Sequence, residues 1–147
     1  MPRAFLRFSP VLLLAIAGCS DTTTDPSQGL IAAPVSPVID IPVPAGFHMA
    51  GDSQTFIAPN QQLRMAHIHM KGNDDYLSVA RFFREQLPLK GWTLLSQTQN
   101  GQTVIQSYSK PAEDLTITVT EGILNMHAYI KLDPANRSTP ATPTPPQ

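Results

Sequence analysis

From Leu63 to Lys71 apolar and polar residues alternate, with Ala66, Ile68 and Met70 set against His67 and His69, which predicts a strand with one buried face. Gly72-Asn73-Asp74 then offers a helix cap. Tyr76, Val79, Ala80, Phe83 and Leu87 follow at helical spacing, with Arg81, Arg84 and Glu85 mostly off that stripe. Pro88 and Gly91 stop the helix. Trp92 to Gln97 and Thr103 to Ser109 read as strands around Asn100-Gly101, the strongest hairpin signal in the chain. A turn over Lys110 to Asp114 leads to Leu115, Ile117 and Val119, which alternate with Thr116, Thr118 and Thr120. After Gly122 to Asn125, Met126, Ala128, Ile130 and Leu132 alternate with His127, Tyr129 and Lys131. Two short apolar pieces, Phe47 to Met49 and Thr55 to Ile57, precede all of this, with a turn over Ala58-Pro59-Asn60-Gln61. The pattern predicts an α+β domain over residues 46–133: a mostly antiparallel sheet of about five to six strands with one helix packed on one face.

The flanks have a different character. Of the 15 prolines in the 147 residues, 12 lie outside residues 47–132. Residues 19–45 have few aromatics and no helical period, and run through Pro26, Pro34, Pro37, Pro42 and Pro44, so the expectation is a flexible or partly polyproline linker. Such a tether reaches roughly 80 Å as extended polyproline and roughly 30 Å as a coil. Residues 134–147 form a second Pro/Thr-rich segment, expected to be disordered.

Residues 1–18 read as an export signal. Arg3 and Arg7 are followed by the apolar run Val11 to Ala17, which is too short for a stable membrane span but suits a signal core. Ile16-Ala17-Gly18 leads directly into Cys19, the single cysteine, and this resembles the lipobox of bacterial lipoproteins. The resemblance implies cleavage before Cys19, a diacylglyceryl group on its sulfur and acylation of the new N-terminus with a palmitate-type chain. With each buried methylene contributing about 0.8 kcal/mol, several chains on one residue anchor a protein stably. Ser20 rather than aspartate after the cysteine implies, by the same resemblance, the periplasmic face of the outer membrane in a Gram-negative host.

Charge and cysteine content narrow the chemistry. The whole chain has 10 basic and 11 acidic residues; without Arg3 and Arg7 the balance is 8 against 11, a net of -3. No basic cluster longer than a pair occurs, so nucleic acid is not an expected partner. One cysteine excludes an intrachain disulfide framework and a Cys-based zinc cage. No nucleophile elbow or phosphate-cradling glycine loop is present, and the expectation is a protein that is not an enzyme and holds no cofactor. Asp74-Asp75 reads as a helix cap, Glu113-Asp114 as part of a turn, and the methionines as core filler.

A single helix covers only one side of such a sheet. The apolar sets therefore face it, and His67, His69, His127, Tyr129, Thr116 and Thr118 share the opposite face, the candidate binding face. His67 and His69 sit roughly 6–7 Å apart on one strand, and His127 adds a third imidazole if its strand is adjacent. That sets a metal or small-ligand binding module on His67, His69 and His127 beside a partner-contacting face; the preferred reading has no metal.

Phe82-Phe83-Arg84-Glu85-Gln86-Leu87 followed by Gly91-Trp92, after the opening Ile41-Pro42-Val43-Pro44-Ala45-Gly46, resembles an FY-x-x-x-L…GW element of small uncharacterised bacterial envelope lipoproteins over about residues 41–132. More loosely, the helix-on-sheet pattern is similar to accessory lipoproteins of outer-membrane protein assembly. These resemblances imply a non-enzymatic binding or accessory module of the cell envelope, held to the membrane at Cys19 and contacting another envelope protein. A hydrolase of cell-wall or lipid material is the competing enzyme reading.

Overall fold

A computed structural model describes residues 29–58 and 63–135. Cys19 with its lipobox, the turn at 59–61 and the tail beyond 135 lie outside the described residues. Two short strands, β1 (His48–Met49) and β2 (Gln54–Ile57), lead into β3 (Arg64–Gly72). Helix α1 (Tyr76–Gln86) follows, then a single 3-10 turn, Pro88–Lys90. Four long strands complete the chain: β4 (Thr93–Asn100), β5 (Thr103–Lys110), β6 (Glu113–Glu121) and β7 (Met126–Pro134). All pairings are antiparallel, in the order β1-β3-β7-β6-β5-β4, with β2 also on β3. The α+β class and the single helix are as the alternation predicts.

Local chemistry accounts for the elements. The Asp75 side chain accepts from the Ser78 amide at 2.9 Å and so caps α1, which holds its carboxyl below the ordinary aspartate range. Gly91, at φ 84°, takes the left-handed position expected of it, closing the 3-10 turn rather than α1 itself. Gly101, at φ 56°, turns the β4–β5 hairpin between Asn100 and Thr103. Gly72 has a different reason to be glycine. A Cβ there would lie 2.3 Å from the Phe47 ring, which packs on the bare strand.

The inner face of the sheet is the core. Ala66, Ile68, Met70, Leu115, Ile117, Val119, Met126, Ala128, Ile130 and Leu132 are all buried against Val79, Phe82, Phe83, Leu87 and Trp92. One polar residue breaks this pattern. Gln106 is fully buried and donates to the Ala80 carbonyl of α1 at 2.8 Å, while its own oxygen accepts from Tyr108 Oη at 3.0 Å. Every polar atom of that cluster has a partner, as buried polar groups require. Burial raises the Tyr108 phenol far above its usual value.

Over its described part, residues 29–45, the expected flexible linker is corrected by the structure. An 11-residue helix is about 16 Å long and about 10 Å wide, too small for a face of five long strands that spans about 19 Å between outer strand axes. Residues 30–45 cover the remainder as an arch. Val38, Ile41 and Val43 are in the core, and Pro42 and Pro44 are buried with them. The arch is closed by Ala33 N to Val43 O at 2.8 Å, Ala45 N to Ile31 O at 2.9 Å, and a tight turn in which Ile41 N reaches Val38 O at 2.9 Å. At the tip, Asp40 accepts from Arg64 at 2.7 and 3.1 Å and from Lys110. Arg64 also reaches Glu113, and Trp92 Nε1 donates to the Asp40 carbonyl at 3.0 Å. Lys110 lies 4.5 Å from the Trp92 ring centre, a cation–π contact. Partial burial works to raise the Asp40 pKa, but the hydrogen bonds from Arg64 and Lys110 outweigh it and hold the carboxyl low. Proline density marks a linker only where nothing apolar alternates with it. Here Ile41 and Val43 alternate with Pro42 and Pro44, an extended run buried on both sides without a ladder of hydrogen bonds. The domain also extends past residue 133, since Pro134 pairs with Glu113 and the Ala135 amide reaches the Ala112 carbonyl at 2.9 Å.

Candidate binding face

Among the described residues no element covers the outer face, and its residues are those the period-two argument assigns to it. Register sets its residues in rows that run across the strands. His67, Lys131 and Thr116 form one row, His69, Tyr129 and Thr118 the next, and Lys71, His127 and Thr120 a third. In the second and third rows three rings associate. His69 stacks on Tyr129 at 4.4 Å between centroids and 20° between planes, and meets His127 edge to edge, with 5.1 Å between centroids and 25° between planes.

Hydrogen bonds fix this stack. His69 Nδ1 lies 2.9 and 3.1 Å from the Asp52 carboxylate, and His69 Nε2 lies 2.8 Å from His127 Nδ1. His69 Nδ1–H donates to the Asp52 carboxylate, and of the facing pair His69 Nε2 and His127 Nδ1 one donates and the other accepts. The bond to His69 is the main reason the Asp52 carboxyl titrates below the usual range. His127 is held below the ordinary imidazole value, by desolvation first and by the nearby His69 and Lys71 next, so it stays neutral near pH 7. Gly122 makes room for it, because a Cβ there would meet the His127 Cδ2 and Nε2 at 2.8 Å.

Beside the stack is a cleft of about 370 Å³, lined by Asp52, His67, His69, Thr116, Thr118, Tyr129 and Lys131. Lys131 is paired with Asp133 at 2.8 Å, and Tyr129 is 43% exposed. A larger cleft of about 600 Å³ lies between the arch and Ile57, but its guanidinium, Arg64, is already bonded to Asp40 and Glu113.

His67, His69, His127, Tyr129, Thr116 and Thr118 thus lie on one open face, but not as one cluster. The three-histidine arrangement is not assembled. The pairing His69 with Tyr129 and Lys71 with His127 puts His127 on the far side of His69 from His67. Both nitrogens of His69 are engaged, and among the described residues no group of three or more His, Cys, Asp or Glu side chains is placed to hold a metal ion. Sequence reasoning missed Asp52, which arrives from the turn before β2, and Lys131, which register alone places opposite His67. The alternation in 126–132 carried a signal for Lys131; nothing local carried one for Asp52.

Among the described residues no helix is long and apolar enough to cross a membrane. No curated protein and no solved structure matches the chain at significance. A family match does cover more than half of it, from the Ser53 turn through every long strand, α1 and the end of β7. By that match over residues 53–138, the chain belongs to the START domain-like family.

Proposed function

We propose that this protein is a non-enzymatic binding module of the cell envelope, tethered through a lipidated Cys19, whose open sheet face contacts another envelope component. The observation that carries the reading is the half-exposed Tyr129 ring held by the Asp52–His69–His127 chain at the rim of the 370 Å³ cleft. Exposed rings on a polar sheet are normally free to turn. Here a carboxylate and two imidazoles keep one ring in place, the preorganisation that recognition rewards. START domain-like membership also supports a binding role. The tether rests on Ile16-Ala17-Gly18-Cys19.

A small ligand in the cleft is the second reading, favoured by the convergence of Thr116, Thr118, Lys131 and His67 on one hollow. The test is in-cell photocrosslinking from a photoreactive residue at position 129, with one at the exposed Ala112 turn as control. A dominant protein adduct from 129 that is absent from 112 supports the partner contact. A small-molecule adduct at 129 favours the second reading, and equal labelling from both positions overturns the face as a site.

A further inference from the structure

The two edges of the sheet are treated differently. The β3 edge is occupied by the short strands β1 and β2. Among the described residues the other edge, β4, pairs only with β5, and nothing is laid along Thr93–Asn100. Edge strands of soluble proteins are normally guarded by charge, proline, shortness or a cover. β4 is eight residues long and has neither charge nor proline; its one irregularity is the bulge at Leu95.

A groove of about 270 Å³ runs beside this strand, between it and α1. Ala80 and Val104 are its buried floor, half-exposed Leu77 is a wall, and Arg81 and Arg84 stand on the rim. Arg81 has a long contact of 3.5 Å to Ser78 Oγ and feels the Asp75 carboxylate along the helix. Among the described residues neither arginine has a carboxylate within ion-pair distance.

We propose that β4 and this groove form a docking site for an extended acidic peptide segment of a partner protein, added to the sheet as a further strand. A strand laid about 4.8 Å outside β4 turns alternate side chains toward α1, about 6.8 Å apart. One apolar side chain then lies beside Gln97 and over Leu77 and Ala80, and the carboxylate two residues away meets Arg84 and Arg81. Main-chain bonds supply the attachment and the alternate side chains the selectivity, the usual division in strand addition. Charge selects this occupant over a second copy of the chain: a symmetry-related β4 carries no acidic residue to offer the two arginines. The site is separate from the Tyr129 face and does not rest on it.

The test uses the full chain in detergent micelles and a fluorescein-labelled nonapeptide, Thr-Glu-Thr-Val-Thr-Glu-Thr-Val-Thr, followed by anisotropy. Saturable binding is expected, at least about tenfold tighter than that of the same peptide with lysine in place of glutamate. In the Arg81→Glu/Arg84→Glu double variant, whose changes are both exposed, the preference is expected to invert toward the lysine peptide. Absence of saturation with the glutamate peptide up to about 1 mM, the weak end of specific recognition, overturns the proposal. So does equal affinity for the two peptides, or a preference that the double variant leaves unchanged. Self-association of the peptide-free chain that Thr98→Pro abolishes makes the occupant a second copy, and overturns it too.

Discussion

Replacing Asp40 by asparagine tests whether the arch is part of the domain or a tether that happens to lie on it. The substitution keeps shape and removes charge. In the wild type the carboxylate accepts two hydrogen bonds from Arg64 and one from Lys110, with Asp40 and Arg64 side chains only 19% and 15% exposed. A hydrogen bond to a charged group contributes about 1.5–3 kcal/mol, and breaking a buried pair costs about 3–5 kcal/mol because its partner is left behind. Glu113 still holds Arg64 and the Trp92 ring still faces Lys110, so the charges left behind are partly compensated. The expected loss is therefore about 2–4 kcal/mol, a large share of the stability of a domain this size.

Urea unfolding followed by Trp92 fluorescence is the assay, since its indole donates to the Asp40 carbonyl and reports directly on the arch. The midpoint should fall with little change in slope, and Tm should drop by at least about 10 °C. Asp133→Asn is the control. It breaks a Lys131 pair whose side chains are 55% and 33% exposed, and should cost less than about 0.5 kcal/mol. The pH dependence follows from the direction of the Asp40 shift. A depressed folded pKa gives stability that is complete above the unfolded value, near 3.8, and is lost as pH falls through the folded value. Wild type and variant should thus differ by a constant amount above about pH 5 and converge in stronger acid. A difference below about 0.5 kcal/mol at pH 7 would refute the arch as structure and restore it as a tether.

Other perturbations separate the remaining parts of the argument. Gly72→Ala should cost about 1–3 kcal/mol by displacing the Phe47 ring, and the penalty should largely vanish in a Phe47→Ala background if the clash is the cause. Gln106→Leu should cost about 1–3 kcal/mol in a melt, since it strands the buried Tyr108 hydroxyl; adding Tyr108→Phe should recover most of the loss, and no recovery would sink the account of that cluster. Because folded His127 titrates below its unfolded value near 6.5, its neutral form is favoured by folding, and wild-type stability should begin to decline as pH falls through about 6.5. His127→Asn should flatten that part of the stability profile, and an unchanged profile would refute the assignment. Cys19→Ser should move the protein from the membrane to the soluble fraction, and continued sedimentation with membranes would end the lipid-anchor proposal.

What the chain revealed to reading depended on whether the cause was local. Strands β3 to β7 and α1 were legible because period two and period 3.6 are written in consecutive residues, and the Asn100-Gly101 and Lys110–Asp114 breaks mark their ends. The two faces followed from the same alternation. The arch was not legible as structure, because what orders it is the uncovered part of the inner face, and the contacts that hold it join Asp40 to residues 24 and 70 positions away. The histidines were legible as residents of one face, and their partners were not. A face is fixed by parity alone, whereas a partner needs strand order and register, and the β3–β7 register puts Lys131 opposite His67 and Tyr129 opposite His69. Asp52 was beyond reach for a further reason: it is a turn residue with no period, and it matters only because β2 folds back along β3.

The placement of cover explains why the proposed contacts lie where they do. Among the described residues one short helix and the arch finish the inner face, and nothing covers the outer one. An antiparallel sheet tolerates this if the bare face is polar, and Thr103, Thr116, Thr118 and Thr120 make most of it so, with a Thr103–Thr120 hydroxyl pair at 2.8 Å. Solvation alone would be satisfied by continuing that pattern through β7 and β3. Instead the chain sets Tyr129 between His69 and Thr118 and orders it through a carboxylate at the sheet edge. The Asp52 contact is an exposed one that contributes little to stability, so stability does not account for it. An ordered ring at the edge of a polar hollow is useful to a molecule that binds there, and this is the physical reason to look for the partner on this face first.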